Sequence, residues 1–279
     1  MNYFKTGFLL VALTLLFVFI AGAFAGSQGA VIAFIFTLLM NFAAYWFSDK
    51  IILGMYAAKK ISRDQAPQLF EILFELVNEA NLPMPQLYIV ENAAPNAFAT
   101  GRDPRHAAIC VTSGILSLLT REELKGVIAH ELAHIKNRDT LIMTVAATIA
   151  GAIMMIANML RWGAMFAGPG TRDRQRGGNL LGVLIVSILA PVAAMLVQLA
   201  ISRTREYSAD AKGAKFAHNT KGLASALGKL REAAKFHRLG ASPQTAHLFI
   251  VNPLSGDFLA NLFSTHPPVE ERIKRLSQL

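Results

Sequence analysis

A single cysteine, Cys110, stands in 279 residues. It cannot close an internal disulfide, so nothing in the chain calls for an oxidising compartment. It lies in the apolar run Ala107–Val111 with no histidine or cation beside it, which reads as a buried, unreactive thiol. Charge is scarce as well. Charged residues make up 16% of the chain against 53% hydrophobic ones, and the mean hydropathy is +0.41. That excludes an ordinary soluble protein and points to a membrane protein with a soluble portion. The net charge is +9, yet no interleaving of arginine with aromatics and no nucleic-acid module accompanies it. Nucleic acid is therefore not an expected partner. Basic residues flanking apolar runs suit a lipid bilayer better.

Four apolar runs organise the chain. Gly7 to Gly26 carries no charge and is long enough to cross about 30 Å of hydrocarbon as a helix. Small residues at Ala21–Ala25 also allow a cleaved leader, but a second run follows at once, from Ala30 to Phe47, which favours a retained span. The link Ser27-Gln28-Gly29 makes the pair a tight hairpin, and Tyr45 and Trp46 suit the interface. Lys5 on one flank and Lys50, Lys59, Lys60 and Arg63 on the other place both ends in the cytoplasm. Thr140–Leu160 and Asn179–Ile201 form a second apolar pair, the latter with Pro191 as an expected kink. The loop between them, Arg161–Gly178, is basic, against the usual orientation rule, yet both ends of the pair still return to one side. The expected division is residues 1–48 as a first membrane hairpin, 49–139 as a soluble first part, 140–201 as a second hairpin, and 202–279 as a polar, basic, helical second part.

The soluble first part has helical spacing over Gln68–Glu79 with Pro67 in the first turn. Strand-like runs follow at Gln86–Val90, Ala97–Thr100 and Ala107–Val111, the last two joined as a hairpin. Thr120-Arg121-Glu122-Glu123 then has capping-box form and opens a helix. That helix carries His130-Glu131-Leu132-Ala133-His134. Residues i and i+4 share a helix face, so His130 and His134 can hold one ion while Glu131 reaches its water. Such a site needs a third ligand. Directly after the fourth run, Glu206 and Asp210 are spaced i and i+4. Glu206 can complete the set, and Asp210 can accept the spare N–H of a ligating histidine. An apolar hairpin that leaves and re-enters one face brings Glu206 back to His134. His106, His218, His237 and His247 lack ligand spacing.

With these residues in place, the chain resembles the HtpX heat-shock membrane proteases, relatives of the CAAX prenyl-protein endopeptidases. The resemblance rests on His130–His134 with Asn137-Arg138-Asp139, on Ser202–Asp210, on Pro95–Gly101 and on Thr265-His266-Pro267-Pro268, and it covers essentially the whole chain. It implies a mainly α membrane protein with a small β-sheet, a gluzincin-type peptidase domain attached to four apolar membrane helices. It implies one Zn2+ on His130, His134 and Glu206, with Glu131 as general base and proton donor to the leaving amine. His266 is the preferred oxyanion donor, with Arg203 the other candidate, and Asn96 resembles the family's edge-strand residue, where an extended substrate can add. Implied substrates are unfolded or damaged membrane proteins, cut at the cytoplasmic side of the bacterial inner membrane. A prenyl-protein processing enzyme and a non-catalytic scaffold are the competing readings; the sparse polar residues Asn41, Asn158 and Gln198 show no ion path.

Overall fold

The N-terminal apolar segment folds back on itself at a glycine. In this computed structural model, which describes residues 2–166, 203–236, 248, 250 and 267–279, helix α1 runs Asn2–Met55. It has two arms, because Gly26 takes a φ of +63°, a conformation without cost only for a residue lacking Cβ. Asn41 Nδ2 donates to Thr14 Oγ1 at 2.9 Å and to the Leu10 carbonyl at 3.3 Å, groups that a straight helix would hold at least about 40 Å apart. The turn thus falls just ahead of the expected link Ser27–Gly29. Phe8, Leu15 and Phe19 on the first arm and Ile32, Leu39 and Phe42 on the second are exposed, a continuous apolar surface that suits hydrocarbon. Of the described helices, Gly26–Met55 is long and apolar enough to cross a membrane; Thr6–Phe19 and Asp139–Ile153 are shorter apolar segments. The expected fourth run, Asn179–Ile201, lies outside the described residues.

The soluble portion is built around a four-stranded sheet. Its strands are β1 (Lys59–Lys60), β2 (Gln86–Val90), β3 (Ala97–Gly101) and β4 (Ala107–Thr112), in the order β1-β2-β4-β3. The expected β3–β4 hairpin is present and antiparallel, while β2 pairs β4 in parallel and the two-residue β1 was not foreseen. Period-two alternation divides the sheet between two layers. Leu87, Ala97, Ala99, Ile109 and Val111 join a core with α2 (Pro67–Ala80) and α4 (Arg121–Asn137). Val90, Phe98, Ala108 and Cys110 join another with Ile52 and Leu53 of α1 and with α5 (Asp139–Phe166). Burial pushes the Cys110 thiol up to about 12, so it stays protonated and inert.

The short α3 (Ser113–Leu118) follows β4, and α4 then starts as its sequence dictates. Thr120 and Glu123 form the reciprocal capping box, and α4 ends at Arg138 in the left-handed region, with α5 beginning one residue later. Glu123 also accepts from Ser225 Oγ at 2.7 Å and Lys229 Nζ at 2.8 Å. Both donors sit on α7 (Thr220–Phe236), which packs on α4 beside α6 (Arg203–Ala217). Burial raises the Glu123 carboxyl, but Lys229, Ser225 and Thr120 together hold it down to about 2. A depressed folded-state pKa contributes stability that is full above the unfolded value of about 4.5 and is lost as pH falls towards 2. Glu123→Gln is expected to lower stability by about 2 kcal/mol at neutral pH. The deficit against the parent should shrink between pH 4.5 and 2 in thermal melts; an unchanged deficit across that window would show that Glu123 acts by packing alone.

Candidate metal centre

The α4 helix buries His130, Glu131 and His134 in its middle turns. α6 crosses it there, and the crossing is possible because of Gly213. A Cβ at this position would come within 2.8 Å of His130 N and 2.9 Å of His130 Cα. Glu206, Asp210 and Gly213 are spaced i, i+4 and i+7, so the face that makes this contact also carries the two carboxylates. Gly213→Ala should push α6 away from α4, costing about 1–3 kcal/mol by overpacking. Metal retained after dialysis should fall with it; an alanine variant that keeps parental metal content and melting temperature would contradict this account of the crossing.

Three donor atoms converge. One ligand atom from each of His130, His134 and Glu206 lies within 4.8 Å of the others, and all three residues are buried. The two Nε2 atoms are 3.1 Å apart, and Glu206 Oε1 is 3.5 Å from His134 Nε2 and its Oε2 3.8 Å from His130 Nε2. The opposite ring nitrogens are each engaged. His130 Nδ1 lies 2.9 Å from Asp210 Oδ1, and His134 Nδ1 lies 3.2 Å from Asp139 Oδ2. Carboxylates only accept, so the hydrogen bond to Asp139 puts the His134 proton on Nδ1, and the close ion-pair approach of Asp210 favours the same tautomer of His130; each Nε2 then turns a lone pair inward. Two lone pairs and a carboxylate facing one point repel unless a cation joins them, so the residues present fit a divalent metal. A proton is the lesser substitute. Burial lowers His134, yet Asp139, Glu206 and Glu131 more than offset this and raise it to about 9, while burial leaves His130 below its ordinary value.

Glu131 has the environment of a base. Burial raises its carboxyl, His134 lowers it, Glu206 raises it further, and the outcome is about 7. The backbone amide of Ala99 in β3 also lowers it. A buried arginine stands behind the two carboxylates of α6. Arg272, on α8 (Val269–Leu276), is fully buried. It donates from Nη2 to Asp210 Oδ1 at 2.7 Å and from Nε to Oδ2 at 2.9 Å, and from Nη1 to the Ile250 carbonyl at 2.8 Å. Its Nη1 is 3.7 Å from Glu206 Oε2. Burial raises Asp210, but Arg272 and His130 hold it at about 2.

The other expected residues fall differently. Asn96 is buried just before β3. Its Oδ1 accepts from Ile250 N at 3.2 Å, and its backbone closes the sheet against Thr112. Arg203 opens α6 with an exposed side chain, and it is Arg272 that reaches both Glu206 and Asp210. Lys212, the other cation near Asp210 in sequence, hydrogen-bonds Asn137 instead. His266 lies outside the described residues. Asp139 and Arg272 went unassigned in the sequence. A signal existed for the second, because Arg272 falls on the stripe formed by Val269, Ile273 and Leu276.

The sequence profile of peptidase family M48 matches residues 63–279. Full-length relatives agree. A protein described as "Protease HtpX homolog" from Syntrophobacter fumaroxidans is 56% identical over 278 residues, covering 99% of both chains. Homologues of the same description from Pelotomaculum thermopropionicum and Thermococcus kodakarensis are 51% and 50% identical, covering 100% and 99% of this chain and 99% and 95% of theirs. Among solved structures, S. mikatae Ste24p superposes over 97% of this chain with a TM-score of 0.51 at 18% identity, a likeness of fold in which this chain spans 62% of that one. With a buried His-His-Glu cluster formed where two helices cross, the chain belongs to peptidase family M48 as an HtpX-type metalloprotease.

Proposed function

We propose that the protein is a zinc-dependent endopeptidase of the bacterial cytoplasmic membrane, multi-pass, with its site on the cytoplasmic side, cutting unfolded or damaged membrane proteins during quality control. The observation that carries this reading is the inward-facing set His130 Nε2, His134 Nε2 and Glu206, fixed by Asp210 and Asp139 and set beside the buried base Glu131. Two imidazoles and one carboxylate suit Zn2+ and leave a coordination position open. When bound, such an ion supplies Lewis acidity to a scissile carbonyl and to a water.

The chain's own residues do the rest. Glu131, poised near neutrality, accepts a proton from the attacking water on its carboxylate and passes it to the departing amine. Among the described residues β3 is an edge strand. Asn96 and Thr112 form a hydrogen-bonded pair at its start, so alternation turns the backbone groups of Ala97, Ala99 and Gly101 to the outer edge. An extended substrate adding there takes the outward-facing Ala99 N–H, and its carbonyl is thereby registered against Glu131, whose carboxyl that amide lowers. His266 remains the preferred oxyanion donor, ahead of Arg203. The exposed apolar faces of α1 support membrane residence.

The test is metal analysis coupled to digestion of unfolded casein in detergent. Purified protein should hold one zinc per chain and lose hydrolysis on chelation. Glu206→Ala should lose tightly held zinc and at least about 100-fold in hydrolysis, as expected when a ligand is removed. Full zinc occupancy in that variant would place the third ligand elsewhere.

A further inference from the structure

The strand beside the catalytic helix is tied along its length to α5 and to the end of α1. The side chains of β3 alternate, so Phe98 and Thr100 face away from α4, and Arg102 follows in the turn beyond Gly101. The Phe98 ring lies 5.5 Å from that of Tyr56. Thr100 Oγ1 is 3.1 Å from Thr144 Oγ1 on α5. The Arg102 guanidinium sits 5.0 Å over the Trp46 ring. From Tyr56 back to Trp46 is ten residues, about 15 Å of helix. From Phe98 on to Arg102 is four residues, about 13 Å of strand. The two lengths match, so β3 runs beside the last turns of α1 in the opposite direction and descends towards the membrane as it goes from Phe98 to Arg102.

Trp46 marks how far it descends. Gly26 and Trp46 are twenty residues apart, about 30 Å of helix, which is the thickness of the hydrocarbon layer. No charged residue lies between Gly26 and Trp46; the amphipathic pair Tyr45 and Trp46 precedes the first charges, Asp49 and Lys50, while Phe47, Ile51 and Met55 stay exposed among and beyond them. That order is an interfacial belt at the bilayer surface. Arg102 is therefore at the surface. Ala99, whose backbone amide lowers the Glu131 carboxyl, lies three residues of strand away, about 10 Å.

We propose that this protease selects polypeptide segments that directly flank a membrane span, cutting within about four to ten residues of the point where the substrate leaves the bilayer. The inference rests on the edge-strand reading above and adds the substrate's geometry to it. A chain emerging beside Trp46 and Arg102 meets β3 end-on. Three or four extended residues bring it level with Ala99, and a few more occupy the rest of the strand. Anchoring by the span also raises the local concentration of the flank at this edge, an advantage that falls roughly as the −3/2 power of tether length. A site far out on a long loop has neither the register nor the concentration.

The experiment uses the full-length protease in vesicles of phosphatidylethanolamine and phosphatidylglycerol. One substrate is a single membrane span fused to an unfolded flank made of a repeated, uniformly cleavable sequence. A second carries a twenty-residue Gly-Ser spacer between span and flank, and a third is the flank alone. Cut positions are read by mass spectrometry. In the first substrate, cuts should cluster within ten residues of the span. The spacer should slow cleavage of the repeats at least about 5-fold, close to the rate for the flank alone. Cuts spread evenly along the flank, or a rate indifferent to the spacer, would overturn the proposal. Failure of the detergent-solubilised protein to digest casein would instead overturn the endopeptidase reading beneath it, so the two failures are distinguishable.

Discussion

Glu131→Gln should keep its metal and lose peptide hydrolysis by about 10³-fold or more, in the upper part of the range for removing a general base. Three features of its position set this expectation. The side chain is nearly fully buried, so bulk solvent cannot substitute as base. Its carboxyl is raised to about 7 by burial, with His134 and Glu206 acting in opposite directions, and a base works best when its pKa lies near the operating pH. Glutamine is also close to isosteric, so the helix, the sheet and the ligand set stay as they are. The loss should fall on kcat with little change in KM, the pattern of an interaction used in the transition state rather than in substrate binding. Zinc content by metal analysis and casein digestion by gel read the two halves of this expectation. Hydrolysis within ten-fold of the parent would remove Glu131 from the base role, whereas loss of zinc would mean that the carboxylate helps to hold the ion.

Some of this site could be read directly along the chain. His130, Glu131 and His134 declare themselves because ligand spacing on a helix is local, and so is the capping box at Thr120 and Glu123 that starts that helix. Glu206 and Asp210 could be found because one helix face again fixes their relation to each other, and the intervening apolar runs suggested how they return to α4. The β3–β4 hairpin was visible for the same reason. What stayed hidden depends on contacts between distant segments. Asp139 sits five residues beyond His134, past a left-handed Arg138, and only that turn swings it back onto His134 Nδ1. The parallel pairing of β2 with β4 leaves no local mark. Gly213 looks like a weak point in a helix until its distance from the His130 backbone is known. Trp46 and Arg102 are 56 positions apart, and each alone reads as ordinary: an interfacial aromatic and a cation in a turn.

Arg272 shows how a charge with no obvious role in sequence can govern a site. In the run Val269-Glu270-Glu271-Arg272-Ile273-Lys274-Arg275-Leu276 it looks like one more charge on a solvated helix, and Arg275 does behave so, pairing with Glu271 at the surface. Arg272 instead occupies the apolar stripe and is 0% exposed. Its guanidinium is held charged, against the cost of burial, by Asp210, Glu206 and Glu131. It grips Asp210 through two parallel hydrogen bonds, and Asp210 in turn orients His130. Arg272→Met should therefore leave a buried carboxylate without its cation, at a cost of about 3–5 kcal/mol. Zinc affinity should fall about 10–100-fold as His130 loses its fixed orientation. Arg272→Lys keeps the charge but not the fork, and should recover part of the stability and less of the affinity. The double variant Arg272→Met with Asp210→Asn separates the two effects. Removing the stranded charge should restore much of the melting temperature, because a neutral pair no longer carries the desolvation penalty. Zinc affinity should stay low, because an amide beside His130 Nδ1 no longer supplies a charged acceptor for its proton. Melting in one detergent and zinc competition against a chelator give both readings on the same samples. If the double variant regained zinc affinity along with stability, the arginine would be a packing element only, and the control of His130 would have to come from elsewhere in the site.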